Sequence, residues 1–70
     1  MVTRGEMSYL RDIVAIIREA KQISTIQLVI RSRKSLSYFE KMRRFIPELY
    51  HDIQYNRETK FWEAIETQEM

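Results

Sequence analysis

Cysteine is absent from this chain, and glycine and proline occur once each. Without cysteine there are no disulfides and no thiolate metal ligands, so packing must hold the fold, helped at most by a partner subunit. So little glycine and proline argues against a linker or a disordered segment, and the single Gly5 cannot build a phosphate-cradling loop. Histidine is also solitary. His51, beside Asp52, has no second histidine or cysteine with which to form a metal set, and reads as a hairpin side chain. No apolar run approaches bilayer length, the longest being IVAII from Ile13 to Ile17. The N-terminal stretch lacks the apolar core and cleavage site of a secretion signal, so a cytoplasmic protein without membrane contact is expected. No nucleophile, base and orienting group stand at a spacing that supports catalysis, and neither a cofactor motif nor a small-molecule site is evident. A non-enzymatic role is expected.

What remains is a short, charge-rich chain. Its 70 residues suit one domain with a compact core, since a chain of this size buries only roughly 60% of its unfolded surface. The net charge of +2 conceals strong segregation. Residues 1–30 carry four bases and three acids, 31–44 six bases and one acid, and 45–70 two bases and six acids. Such asymmetry points to an anionic partner more clearly than the total does.

Leu10, Ile13, Val14, Ile17 and Ala20 recur at helical spacing, which predicts a first helix over about 8–21 with Ser8 as its N-cap. Residues 1–7 and 66–70 are expected to fray. In ISTIQLVIRSR, Ser24 and Gln27 form a capping-box pattern, and Ile23 with Leu28 could close a hydrophobic staple. A short helix over about 25–33 follows, burying Leu28, Val29 and Ile26. Ser37 and Glu40 repeat the box, and Phe39, Met42 and Ile46 form one apolar stripe, so a third helix is expected over about 37–46. Pro47 biases Ile46 away from helical geometry and should end that helix, unless it bends and continues to Tyr50.

The period then changes. YHDIQY and KFWEAI are rich in aromatic and β-branched residues and are separated by NRET, which predicts a β-hairpin. A two-residue turn at Arg57 and Glu58 would pair Tyr55 with Lys60 and Ile53 with Trp62. Phe61 is assigned to the core, Trp62 to either the core or base stacking, and Glu63, Glu66 and Glu69 to a solvated tail.

Taken together, these elements resemble a winged helix-turn-helix domain. TIQLVIRSRKSLSYFEKMRR, residues 25–44, is similar to a helix-turn-helix unit, with Leu28 and Val29 as the buried pair of its first helix. Phe39 and Met42 match the apolar positions of a recognition helix, and residues 50–65 would be the wing. The turn departs from the usual glycine, having Ser32, Arg33 and Lys34 there, and Ile30 or Leu36 would have to supply its apolar contact. The strand often found between the opening helices is not evident unless IST contributes a fragment. The resemblance implies an α+β fold of three helices followed by a hairpin, and duplex DNA as partner. It is similar to small winged-helix proteins of archaea and their viruses.

The basic segment supplies the chemistry such a partner needs. Lys and Arg contacts to phosphate give non-specific affinity, and side chains on a helix in the major groove read bases. With Phe39, Met42 and Ile46 buried, Ser37, Tyr38, Lys41 and Arg44 fall on the opposite face. Lys41 and Arg44 are the candidates for base or phosphate contacts, and Ser35, Ser37 and Tyr38 for phosphates near the helix start. Arg31, Arg33 and Lys34 would meet the flanking backbone, and Arg57 with Lys60 an adjacent groove. Arg43, nearer the buried flank, is left out. A sequence-specific DNA binder, plausibly a transcriptional regulator, is one reading. A protein-interaction module and an accessory domain of a replication or repair protein are the others. Tyr9, Ile13, Ile16 and Ile17 form an apolar band on the first helix that could serve a homodimer or fill the core.

Overall fold

Thr3 and Glu6 start the first helix earlier than Ser8 would. The computed structural model describes residues 2–65, and in it α1 spans Arg4–Ala20. The Thr3 hydroxyl accepts from the Glu6 N–H at 3.3 Å, and the Glu6 carboxylate accepts from the Thr3 N–H at 3.0 Å. This reciprocal box satisfies two of the orphan donors of the first turn, so Arg4 to Met7 are helical rather than frayed, and Ser8 is an exposed interior residue. The frayed tail expected at 66–70 lies outside the described residues.

Lys21 closes α1 with a positive φ of 68°, its N–H donating to the Ile17 carbonyl. The chain then enters β1, Gln22–Ser24, the strand of which IST gave only a hint. Ser24 caps α2, Thr25–Ser32, accepting from the Gln27 N–H at 3.2 Å as expected. Leu28 is buried and Val29 half-buried, but Ile26 points outward, against expectation, because an eight-residue helix buries only one narrow face. Arg33 ends α2 in the left-handed conformation, φ 61° and ψ 25°, where glycine is the ordinary choice. Neither Ile30 nor Leu36 supplies the expected apolar contact to this turn, both being more than half exposed.

The next helix departs most from the sequence reading. α3 is Leu36–Met42, capped by Ser35 rather than Ser37, with the Ser35 hydroxyl accepting from the Tyr38 N–H at 3.2 Å. It stops at Met42, and a separate α4, Phe45–Leu49, follows. Pro47 lies in the first turn of α4, where its missing N–H would have no intrahelical partner, so Ile46 remains helical.

Two strands complete the fold, β2 Ile53–Asn56 and β3 Phe61–Ala64, in an antiparallel sheet ordered β1-β3-β2. The hairpin loop has four residues, not two. The Asn56 side-chain oxygen accepts from the N–H groups of Glu58 and Thr59, and Lys60, at φ 64°, donates its N–H to the Asn56 carbonyl at 2.7 Å. Tyr55 therefore pairs with Trp62 and Ile53 with Ala64. The register differs from the expected one by two residues, which keeps Ile53 and Tyr55 on one face with Trp62. Trp62 is thereby a core residue, while Phe61, assigned to the core, is on the outer face and partly exposed. Glu63, read as solvated tail, also lies on that outer face and accepts from Gln22, Asn56 and Thr59.

Among the described residues the result is α+β, with four helices and a three-stranded antiparallel sheet. One core joins α1, α2 and α3 to the inner sheet face, with Leu10, Ile13, Ile17, Leu28, Phe39 and Ile46 fully enclosed. Phe39 meets Trp62 edge-to-face with ring centres 5.7 Å apart, and the Trp62 indole N–H donates to the Thr25 hydroxyl. Tyr9, Ile13 and Ile17 belong to this core, so the apolar band of α1 fills the monomer, with only Ile16 and Ala20 left half-buried beside it. Among the described residues no helix is long and apolar enough to cross a membrane.

Asp52, not His51, carries the notable charge before the hairpin. Its carboxylate accepts from the Arg18 guanidinium at 2.6 Å, tying α1 to the approach of β2, and Arg18 also lies over the Tyr50 ring. The bond from Arg18 holds the Asp52 carboxyl below its ordinary range, and the Thr3 N–H does the same for Glu6. A carboxyl lowered in the folded state stabilises above its unfolded pKa, and that stabilisation is lost as pH falls through the folded value. The thermal midpoint should therefore drop below about pH 4. Asp52→Asn should lower the midpoint at pH 7 and make the acid branch shallower, the Glu6 share remaining. An unchanged acid branch in Asp52→Asn would assign that sensitivity elsewhere.

Candidate nucleic-acid interface

The residues expected to meet nucleic acid come from three places: the α2–α3 turn, the exposed side of α3, and the hairpin loop. Arg31, in the last turn of α2, reaches the Glu19 carboxylate of α1 at 3.5 Å. Arg33 and Lys34 are exposed in the turn, Arg33 on its left-handed backbone and Lys34 with its ammonium 5.6 Å from the Tyr38 ring centre. Ser35 caps α3, and its hydroxyl lies 3.2 Å from that of Ser37, placing two hydroxyls side by side at the helix start.

Tyr38 does not share the outward face assigned to it. Its ring packs edge-on against Tyr9 of α1, centres 4.7 Å apart, and is half-buried. An aromatic ring at that position gains more from apolar contact with α1 than from solvent, which one-face helical geometry could not reveal. Lys41, one turn further, is exposed but 3.9 Å from the Glu6 carboxylate, so α1 supplies a counter-charge to it. The ion pair of Arg31 is exposed on both sides and of the kind that contributes little to stability, whereas the Glu6 partner of Lys41 is largely shielded from solvent.

Arg44 and Arg57 are brought together by the fold. A cleft of about 470 Å³ opens between the α3–α4 junction and the hairpin. Arg43 and Arg44 line one side, Arg57 enters from the hairpin loop, and Pro47, Gln54 and Tyr55 complete the walls. Trp62 contributes an edge from the core. Arg43 also holds Glu40 at 3.1 Å one turn back, while Arg44 lies over the Phe45 ring. Lys60 is exposed at the end of the hairpin loop and does not line the cleft.

Arg43, Gln54 and Tyr55 were missed as site residues. Arg43 was set aside on the assumption of one continuous helix to residue 46. With α3 ending at Met42, the chain turns at Arg43 and Arg44, and both side chains leave the core flank together. Pro47 was the available signal, because a proline suits the first turn of a new helix.

No protein-family model matches the chain, and neither does any curated protein or any solved structure.

Proposed function

We propose that the chain is a winged helix-turn-helix domain that binds duplex DNA, with α3 entering the major groove and the β2–β3 hairpin acting as the wing. The observation that carries this reading is the convergence of Arg44, at the α3–α4 junction, and Arg57, in the hairpin loop, on one cleft. The element order α1-β1-α2-α3-α4-β2-β3 and the sheet order β1-β3-β2 support it, since they set a capped helix, followed by Arg43 and Arg44, ahead of a hairpin. Ser35 and Ser37 present hydroxyls for phosphate at the start of α3, Lys41 lies on it, Arg44 just beyond its end, and Arg33 and Lys34 precede it. Phosphate contacts of this kind position the protein, and Arg44 is the side chain suited to a base edge. A role in transcriptional regulation would follow from sequence-specific binding.

The test is fluorescence anisotropy with a labelled duplex at low salt. Arg44→Ala should weaken binding by about 1–3 kcal/mol if the guanidinium reads a base, and Lys41→Ala should lower the salt slope by about one. Both side chains are exposed, so thermal midpoints should stay close to that of the parent. No binding of the parent at low salt would end the DNA reading. It would favour a protein-interaction module, for which the exposed Ile26, Ile30 and Leu36 are the supporting observation.

A further inference from the structure

The cleft beside Arg44 has a composition that phosphate contacts alone do not require. Phosphate is held by charge and hydrogen bonds, with no need for an aromatic wall. Here the arginines share their cleft with Tyr55 and Pro47. Tyr55 is on the inner face of the hairpin, paired with Trp62 and tilted against its ring at 5.3 Å, yet it remains 40% exposed. An inward-facing aromatic with this much of its surface open to solvent is available to a ligand. Gln54, also exposed and at the cleft, offers both a donor and an acceptor. The volume falls within the range of small-ligand sites, about 300–1,000 Å³.

We infer that this cleft takes one unpaired nucleotide, with its phosphate on Arg44 and Arg57 and its base against Tyr55. The guanidinium fork matches phosphate oxygens, and every base presents a π-face to an aromatic ring. Among the described residues Arg44 and Arg57 form no ion pair with a carboxylate, whereas Arg43 is partly committed to Glu40. The amide of Gln54 can bond a base edge. Two sources supply this chemistry: an unpaired end of a strand whose duplex lies on α3, or a free nucleotide. The first rests on the duplex-binding reading; the second does not.

The experiment compares, for the 70-residue chain at fixed low salt, a blunt duplex with the same duplex bearing a three-nucleotide 3′ overhang. Competition by dAMP and by inorganic phosphate is measured alongside. The overhang should bind about tenfold more tightly than the blunt duplex, the scale of one base stacked on an aromatic ring. Tyr55→Ala should abolish that preference, bringing the overhang duplex to the affinity of the blunt one. Because Tyr55 packs on Trp62, Tyr55→Leu keeps an apolar contact without the π-face, and Trp62 fluorescence checks that each variant is folded. Equal affinity for both duplexes, with no competition by dAMP, would overturn the inference and leave the duplex reading standing. Phosphate competing as well as dAMP would overturn it too, since the base would contribute nothing. Binding of dAMP without binding of either duplex would support the cleft as a free-nucleotide site and remove the duplex reading.

Discussion

Phe39→Ala is expected to remove about half of the folding stability of this chain. Phe39 is fully buried on α3 and meets Trp62 edge-to-face, so it joins the helical half of the core to the sheet. Removing a buried phenylalanine ring costs about 3–5 kcal/mol, part from lost transfer and part from the cavity left behind. A domain of this length has a total stability of roughly 3.5–10 kcal/mol at the usual value per residue. No disulfide is available to limit the loss. Urea titration followed by Trp62 emission checks this, because Trp62 is the only tryptophan and is buried. A midpoint reduced by less than a third would mean that the surrounding side chains collapse into the space. The same substitution would dismantle the helix that carries Lys41, so it cannot serve as a test of binding.

Duplex affinity is expected to fall about a thousandfold between 50 and 200 mM monovalent salt. Arg33, Lys34, Lys41, Arg44, Arg57 and Lys60 are the exposed basic side chains of the turn, α3 and the hairpin loop that this binding mode would use. Arg31 is set aside because it belongs to α2, ahead of the turn. Six phosphate neutralisations give a slope of about −5 in log affinity against log salt, and a fourfold rise in salt then removes about three decades. The acids of the last third, which might have opposed this, are partly drawn elsewhere: Asp52 to Arg18, and Glu63 to the polar face of the sheet. A nearly flat salt response would contradict phosphate-driven binding even if some affinity for DNA were measured.

Local signals carried much of the fold. Ser24 before an apolar run was sufficient to place α2, and the three-and-four spacing of Phe39, Met42 and Ile46 identified residues that are all buried. Change of period marked the hairpin, but not which face turns inward: Phe61, assigned to the core, lies outside and Trp62 inside. Where two local signals competed, sequence could not arbitrate. Ser35 and Ser37 both suit a cap, and Ser37 has Glu40 three residues on. Ser35 prevails because Arg33 closes the preceding turn early, leaving Ser35 as the extended residue from which α3 begins. The two-residue hairpin turn failed for a related reason: the Asn56 side chain captures two backbone N–H groups and stabilises a longer loop. The cleft was not legible at all. It depends on the angle at which the hairpin meets the α3–α4 junction, a long-range property to which no single stretch of sequence corresponds.

Among the described residues the three with positive φ, Lys21, Arg33 and Lys60, have a consequence for how this domain would respond to selection. A left-handed backbone disfavours any residue with a Cβ, so glycine at these positions should relieve strain on the order of 1 kcal/mol each. A library randomised at positions 21, 33 and 60 and screened only for heat resistance should fill with glycine. Screened instead for retention on DNA, it should keep a base at 33 and 60, while 21, remote from α3 and the hairpin loop in the chain, drifts to glycine under both regimes. Divergence of the two enrichment maps at Arg33 and Lys60, and agreement at Lys21, would separate positions held for charge from one that is merely strained.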